Sequence, residues 1–163
     1  MAKEYPNSEF RGVDPDNCEF VIGNITETLP YKDDTFDFIH QRILLVGLAN
    51  SNWDKCLKEL LRVLKSGGYI EIIDTDYKNV INTGPLMDKM HILLCWNLES
   101  RDIPAGIPLQ LEERINRTGY INLVETRLFL PLNHSSKADK LMWQDYYHGV
   151  LNIRPLMVKY NPE

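Results

Sequence analysis

The sequence predicts an α/β fold with a mostly parallel sheet flanked by helices. Two observations predict it. A strand, a helix, a glycine pair and a second strand follow one another between Phe36 and Asp74. Elsewhere, short strand-like runs alternate with segments of helical period, the pattern of α/β chains.

The helix of that unit is set by Trp53, Leu57, Leu60, Leu61 and Leu64, which share one face of a 3.6-residue period. Lys55, Lys58, Glu59, Arg62 and Lys65 fill the rest of its surface. Ser51 is placed to cap its first amides, and Asp54 suits its positive end. Gly67-Gly68 is expected to end the helix after Lys65 with a left-handed residue. The flanking runs, Phe36–His40 and Tyr69–Asp74, read as strands joined in parallel through the helix.

Before this unit, Lys3 to Asn7 reads as the tail of a helix stopped by Pro6. Glu9–Asp14 and Cys18–Gly23 are strand candidates separated by only Pro15, Asp16 and Asn17. Parallel neighbours need a crossover of roughly a dozen residues. Either the first strand therefore pairs differently or a helix has been lost between them. After the unit, Asp76–Gly84 is a loop and Pro85 opens a helix to about Glu99. Leu109–Arg117 is a second amphipathic helix closed by Gly119, and the alternation of Tyr120–Leu130 predicts a strand. Lys137–Val150 reads as helical. The expected organisation is a single partial domain over 1–163, with its core at 9–130 and a helical region at 137–163.

The 163 residues suffice for one domain with a true core. The net charge of −5 argues against a nucleic-acid footprint or an anionic membrane surface. No apolar run reaches the length of a membrane span, and the polar start carries no signal peptide. Cys18, Cys56 and Cys95 are far apart, without metal-ligand spacing, and read as reduced thiols of a cytoplasmic protein, a nuclear location being compatible. No metal site is expected from His91, His134 and His148.

In an open parallel sheet, ligands bind beyond the carboxyl ends of the strands. That rule selects Asp14, Asn24-Ile25, His40-Gln41-Arg42 and Asp74-Thr75-Asp76. Each has a plain structural reading beside the functional one. Asp14 and Asn24 suit turns, His40 suits a hydrogen-bonded core position, and Asp74 and Asp76 suit a solvated loop. Trp143, Tyr146 and Tyr147 suit either a pocket wall or a core. No Gly-x-Gly-x-x-Gly, Gly-x-Ser-x-Gly or Gly-Lys-Ser motif occurs.

The stretch Asn24 to Ile39, with Leu29-Pro30-Tyr31 and Phe36-Asp37 inside it, resembles the acid and Leu-Pro-Phe segment of class I S-adenosylmethionine-dependent methyltransferases. Arg62-Val63-Leu64-Lys65-Ser66-Gly67-Gly68 resembles that family's Arg-Val-Leu-Lys-Pro-Gly-Gly turn, with serine for the proline. The resemblance covers about Glu9 to Asp76. It implies an incomplete Rossmann-like methyltransferase fold, whose first strand and Gly-rich loop belong ahead of Met1. It implies S-adenosylmethionine as cofactor, held by Asp14 at the ribose, Asn24 and Ile25 at the adenine, and His40 and Gln41 near the methionine end. His40 is the implied catalytic base where the acceptor arrives protonated, and a small-molecule acceptor is implied. The alternative is a non-catalytic fragment or pseudoenzyme acting through protein interaction. An incomplete sheet further implies an exposed edge, covered by a second copy or a partner chain, and poor stability when it is not.

Overall fold

The computed structural model describes residues 10–11, 18–19, 21–132 and 136–160. The tail of a helix expected at Lys3–Asn7, Asp14, His134 and most of the first strand candidate lie outside them. The elements are strands β1 (Phe10–Arg11), β2 (Cys18–Glu19) and β3 (Phe36–Arg42), helix α1 (Trp53–Val63), strand β4 (Leu64–Ile73), and helices α2 (Pro85–Glu99), α3 (Pro108–Thr118) and α4 (Lys137–Tyr160).

β1 and β2 pair in parallel, Phe10 with Cys18 and Arg11 with Glu19. The expected need for a long crossover does not hold here. Two paired residues require a return path of only about 7 Å, which a few residues cover. β3 and β4 form a second two-stranded sheet. The Asp34 and Thr35 amides reach the Arg62 and Val63 carbonyls, and the Ile43 amide reaches the Ile73 carbonyl at 2.8 Å. Partners rise in number together, so the pair is parallel, as the sequence predicts. The described fold is thus a partial Rossmann-like arrangement, a small parallel sheet with helices.

Contacts group into two compact units, residues 1–41 with 52–71 and residues 42–51 with 72–163. The core of the first unit is Trp53, Cys56, Leu57, Leu60, Val63 and Leu64, all buried. Trp53, Leu57, Leu60 and Leu64 lie on the face predicted for α1, whereas Leu61, expected with them, is only half-buried and Cys56 and Val63 join instead. Cys56 is a free buried thiol whose pKa burial pushes up to about 12, and Cys95 is a free, half-buried one. The core of the second unit gathers Leu45, Leu48, Leu94, Leu98, Ile103, Ala105 and Ile107.

Several local expectations are corrected. α1 ends at Val63, not Lys65, because Leu64 turns extended (φ −81°, ψ 131°) and its buried side chain begins β4. The Arg62 and Val63 carbonyls, orphans of the last helical turn, are taken by the two amides ahead of β3. Gly67 does adopt the left-handed conformation (φ +79°) but inside β4. Gly68 is needed for closeness, since a Cβ there would lie 2.9 Å from the Asp37 carbonyl oxygen. Ser51 does not cap α1: its hydroxyl donates to Asp102 (2.8 Å), and Asn52 precedes the helix without a side-chain cap bond.

The strand expected at Tyr120–Leu130 is absent. Residues 121–130 carry no regular structure, and Ile121, Val124, Leu128 and Phe129 are each more than 70% exposed. Alternation specifies a strand only when an edge supplies ladder bonds, and no described strand pairs with this segment. α3 follows expectation and ends on left-handed Gly119 (φ +104°). α4 runs past the expected Val150 to Tyr160, with Pro155 inside it. Leu86 and Trp96 of α2 are exposed, and the buried face is His91, Leu94, Asn97 and Leu98. No helix among the described residues is long and apolar enough to cross a membrane.

Candidate functional site

In the first unit, Arg62 near the end of α1 faces the Leu29–Asp33 segment. It donates to the Leu29 (3.3 Å) and Tyr31 (3.0 Å) carbonyls, to Asp33 (2.6 Å) and to Glu59 (2.9 and 2.5 Å). Glu59 in turn accepts the Leu29 amide at 2.7 Å. The Arg62 guanidinium holds the Glu59 carboxyl below its usual range. Tyr31 packs its ring edge-on to Phe36, 4.8 Å between centroids. The Leu29–Phe36 stretch and the Arg62–Gly68 turn are therefore tied by one clasp. Lys65 continues the tie by pairing with Asp37 at 2.8 Å.

That clasp fixes β3, whose end carries His40 and Gln41. Successive strand residues face opposite sides, and the bonds obey this. His40 Nδ1 lies 2.7 Å from Glu71 Oε2 on β4. A carboxylate only accepts, so the imidazole donates Nδ1–H, and Nε2 has no partner among the described residues. Gln41 turns the other way, where its Oε1 accepts the Cys56 thiol at 3.7 Å and its buried Nε2 has no partner. His40 is thus neither a core histidine nor on the side of Gln41.

Asn24 is exposed and commits its side chain to its own turn. Oδ1 accepts from the Thr26 amide (3.1 Å) and hydroxyl (2.9 Å), and Nδ2 donates to Glu27 (3.0 Å). This is the turn-forming alternative read from the sequence. Ile25 beside it is half-buried. Asp14 lies outside the described residues.

In the second unit, the chain leaving β3 passes through Ile43 at φ +50°, a strained conformation for a β-branched residue. Asp74 stabilises the short turn that begins at Leu44. Its Oδ2 accepts the Leu44 (3.1 Å) and Leu45 (3.0 Å) amides, and its Oδ1 accepts that of Thr75 (2.9 Å). Burial raises its carboxyl above the usual value despite these bonds, which act the other way. Asp74 is therefore a loop anchor, not a solvated residue. Asp76 caps its own turn through Lys78 and Asn79. Glu71 and Ile43 escaped sequence reasoning, since a cross-strand partner and a positive φ leave no periodic trace.

The same unit holds an open hollow of about 250 Å³ lined by Tyr77, Lys78, Val80, Thr83, Asp88, His91 and Ile92. His91 is 8% exposed, and its Nε2 lies 3.0 Å from the Tyr146 hydroxyl. Trp143 stacks on Tyr146 at 6.1 Å. Tyr146 is thus half-buried against α2, and Tyr147 is exposed. No cluster of metal-ligating side chains occurs among the described residues.

The profile of a family described as methyltransferase domain matches residues 2–147. Among curated proteins, the chain is 36% identical over 83 residues to the ubiquinone/menaquinone biosynthesis C-methyltransferase UbiE of Hydrogenovibrio crunogenus, covering 50% of this chain and 30% of that protein. It is 38% identical over 65 residues to the demethylmenaquinone methyltransferase of Listeria welshimeri, 39% of this chain and 26% of the relative. Methyltransferase str3 of Strobilurus tenacellus matches over 153 residues at 22% identity, 86% of this chain and 54% of its own length. The matched stretch spans less than a third of the length of the first two.

Proposed function

This chain belongs to the methyltransferase-domain family, and from that premise we propose that it transfers a methyl group from S-adenosylmethionine to a small-molecule acceptor. The cofactor side is assigned to Asp14, Asn24, Ile25, His40 and Gln41, and the base to His40. The observation that carries the reading is the His40–Glu71 pair at the carboxyl end of β3, inside the frame that the Arg62–Glu59 clasp builds from the two family segments.

The side chains suit such a cofactor to different degrees. Ile25 offers an apolar surface for a flat base, whereas Gln41 Nε2 is buried on the side of β3 away from His40 and would serve the cofactor only after turning. Asn24 suits an adenine edge only when it releases its own turn. When bound, S-adenosylmethionine supplies a methyl already activated by its sulfonium, so orientation and proximity are the protein's main contribution. His40 adds a second one. With Nδ1–H held by Glu71, Nε2 receives the acceptor's proton and the carboxylate stabilises the imidazolium. One observation favours the non-catalytic alternative: the Asn24 amide is already committed to local bonds.

Calorimetric titration with S-adenosylhomocysteine decides between them. Binding tighter than millimolar, weakened by an Ile25→Asp variant, supports the proposal. Absence of binding by the folded chain overturns it.

A further inference from the structure

The fold leaves residues 121–130 unused. All of them are exposed, and no backbone hydrogen bond joins them to another part of the chain among the described residues. Val124, Leu128 and Phe129 stand open to water, and removing such surface from it is favourable. A backbone with free amides and carbonyls is also a template for a further strand.

The order of side chains says which strand fits. In extended form, Leu123, Glu125, Arg127 and Phe129 share one side, and Val124, Thr126 and Leu128 share the other. Glu125 and Arg127 already meet on one side, at 2.5 Å. The run is self-complementary about Thr126. Antiparallel pairing of two copies, with Thr126 opposite Thr126, sets Glu125 against Arg127, Leu123 against Phe129 and Val124 against Leu128. A two-fold axis makes each of these pairs twice. Opposite charges and Thr–Thr pairs across a ladder are stabilising, and like charges are not. Sliding the register by two residues sets Glu125 against Glu125 or Arg127 against Arg127. Sliding by one sets each charge against an uncharged side chain, and parallel pairing in register stacks like on like. Charges within a strand usually discourage edge pairing; these two discourage every register but one. Asn122, left-handed at φ +58°, and Pro131, which has no N–H, bound the pairing at its two ends.

We propose that residues 123–129 pair antiparallel with the same residues of a second copy, centred on Thr126, as the interface of a homodimer. So short a ladder falls below the roughly 20–30 residues a side of a standard interface, so the dimer is a weak one. The inference does not depend on methyl transfer, and its test needs no cofactor. The full chain is followed by sedimentation equilibrium from low to high micromolar concentration, with amide exchange measured at both ends of the range. The wild-type chain is expected to dimerise as concentration rises, with exchange slowing at residues 123–129. Glu125→Arg and Arg127→Glu each set like charges across the two-fold axis and are expected to weaken self-association about tenfold. Both side chains are exposed, so neither change disturbs a core. Mixed in equal amounts, the two single variants oppose two arginines to two glutamates and are expected to associate as tightly as the wild type. A wild-type chain that stays monomeric throughout, or a dimer without protection at residues 123–129, overturns the proposal. Single variants that associate as tightly as the wild type, or a mixture no tighter than either variant alone, overturn it as well.

Discussion

Replacing Glu59 tests whether the clasp is what joins the two family segments. In Glu59→Ala the Leu29 amide loses the acceptor now 2.7 Å away, and Arg62 loses its nearest carboxylate while keeping Asp33 and two carbonyls. Glu59 is only 13% exposed at its side chain, so water replaces it poorly. An orphaned, partly buried amide costs about 1–3 kcal/mol. The exposed Asp33 contact contributes little, because Asp33 is 73% exposed and screened. A loss of about 2 kcal/mol corresponds to a urea midpoint lower by about 1 M for a chain of this size. Glu59→Gln keeps a carbonyl for Leu29 and is expected to lose less than half as much. Amide exchange at residues 29–35 is expected to speed up in the alanine variant, while that of the α1 interior changes only with global stability. The sign of the pH effect is fixed too. The folded carboxyl is held below its ordinary value, so its contribution is complete above about pH 4.5 and is lost as pH falls through the lower folded value. An unchanged midpoint together with unchanged protection at Leu29 refutes the clasp.

Outcomes at three further residues are expected. Asp74→Ala removes the acceptor of the Leu44 and Leu45 amides and is expected to cost about 1–3 kcal/mol. The Asp74 carboxyl has the opposite linkage to Glu59. Its folded value is raised, so its contribution is complete below the unfolded value and is lost as pH rises through the folded one; thermal melts of Asp74→Asn across acidic pH are expected to lack that slope. Leu57→Ala opens a cavity in the first core, where Leu57 is fully buried, and is expected to cost about 2–5 kcal/mol in chemical denaturation. Cys56, its pKa pushed up to about 12, is expected to resist a thiol reagent in the folded chain and to react only on unfolding. Rapid labelling of Cys56 in the native state contradicts its burial.

Features set by local chemistry were legible from residue order alone. Most of the face of α1, the left-handed Gly67 and Gly119, and the two segments that resemble a methyltransferase all belong to this class. Periodicity and a φ requirement are properties of a few neighbouring residues, and no distant contact is needed to express them. The candidate site was legible only in part. His40 was named, but its partner Glu71 lies 31 residues away on another strand, and the same alternation that aims His40 at Glu71 turns Gln41 toward Cys56. Asn24 matches the family pattern by position, with an amide where the family usually has an aspartate, and three local bonds give it to a turn. Residues 121–130 have a strand's alternation without a strand's edge, so the backbone stays irregular. His91 stood in the sequence only among histidines with no expected metal role, and the fold brings Tyr146, 55 residues on, to its Nε2. For His40, Gln41 and His91 the deciding partner is distant in the chain. A sequence states which donors and acceptors exist, and the folded chain selects which of them meet.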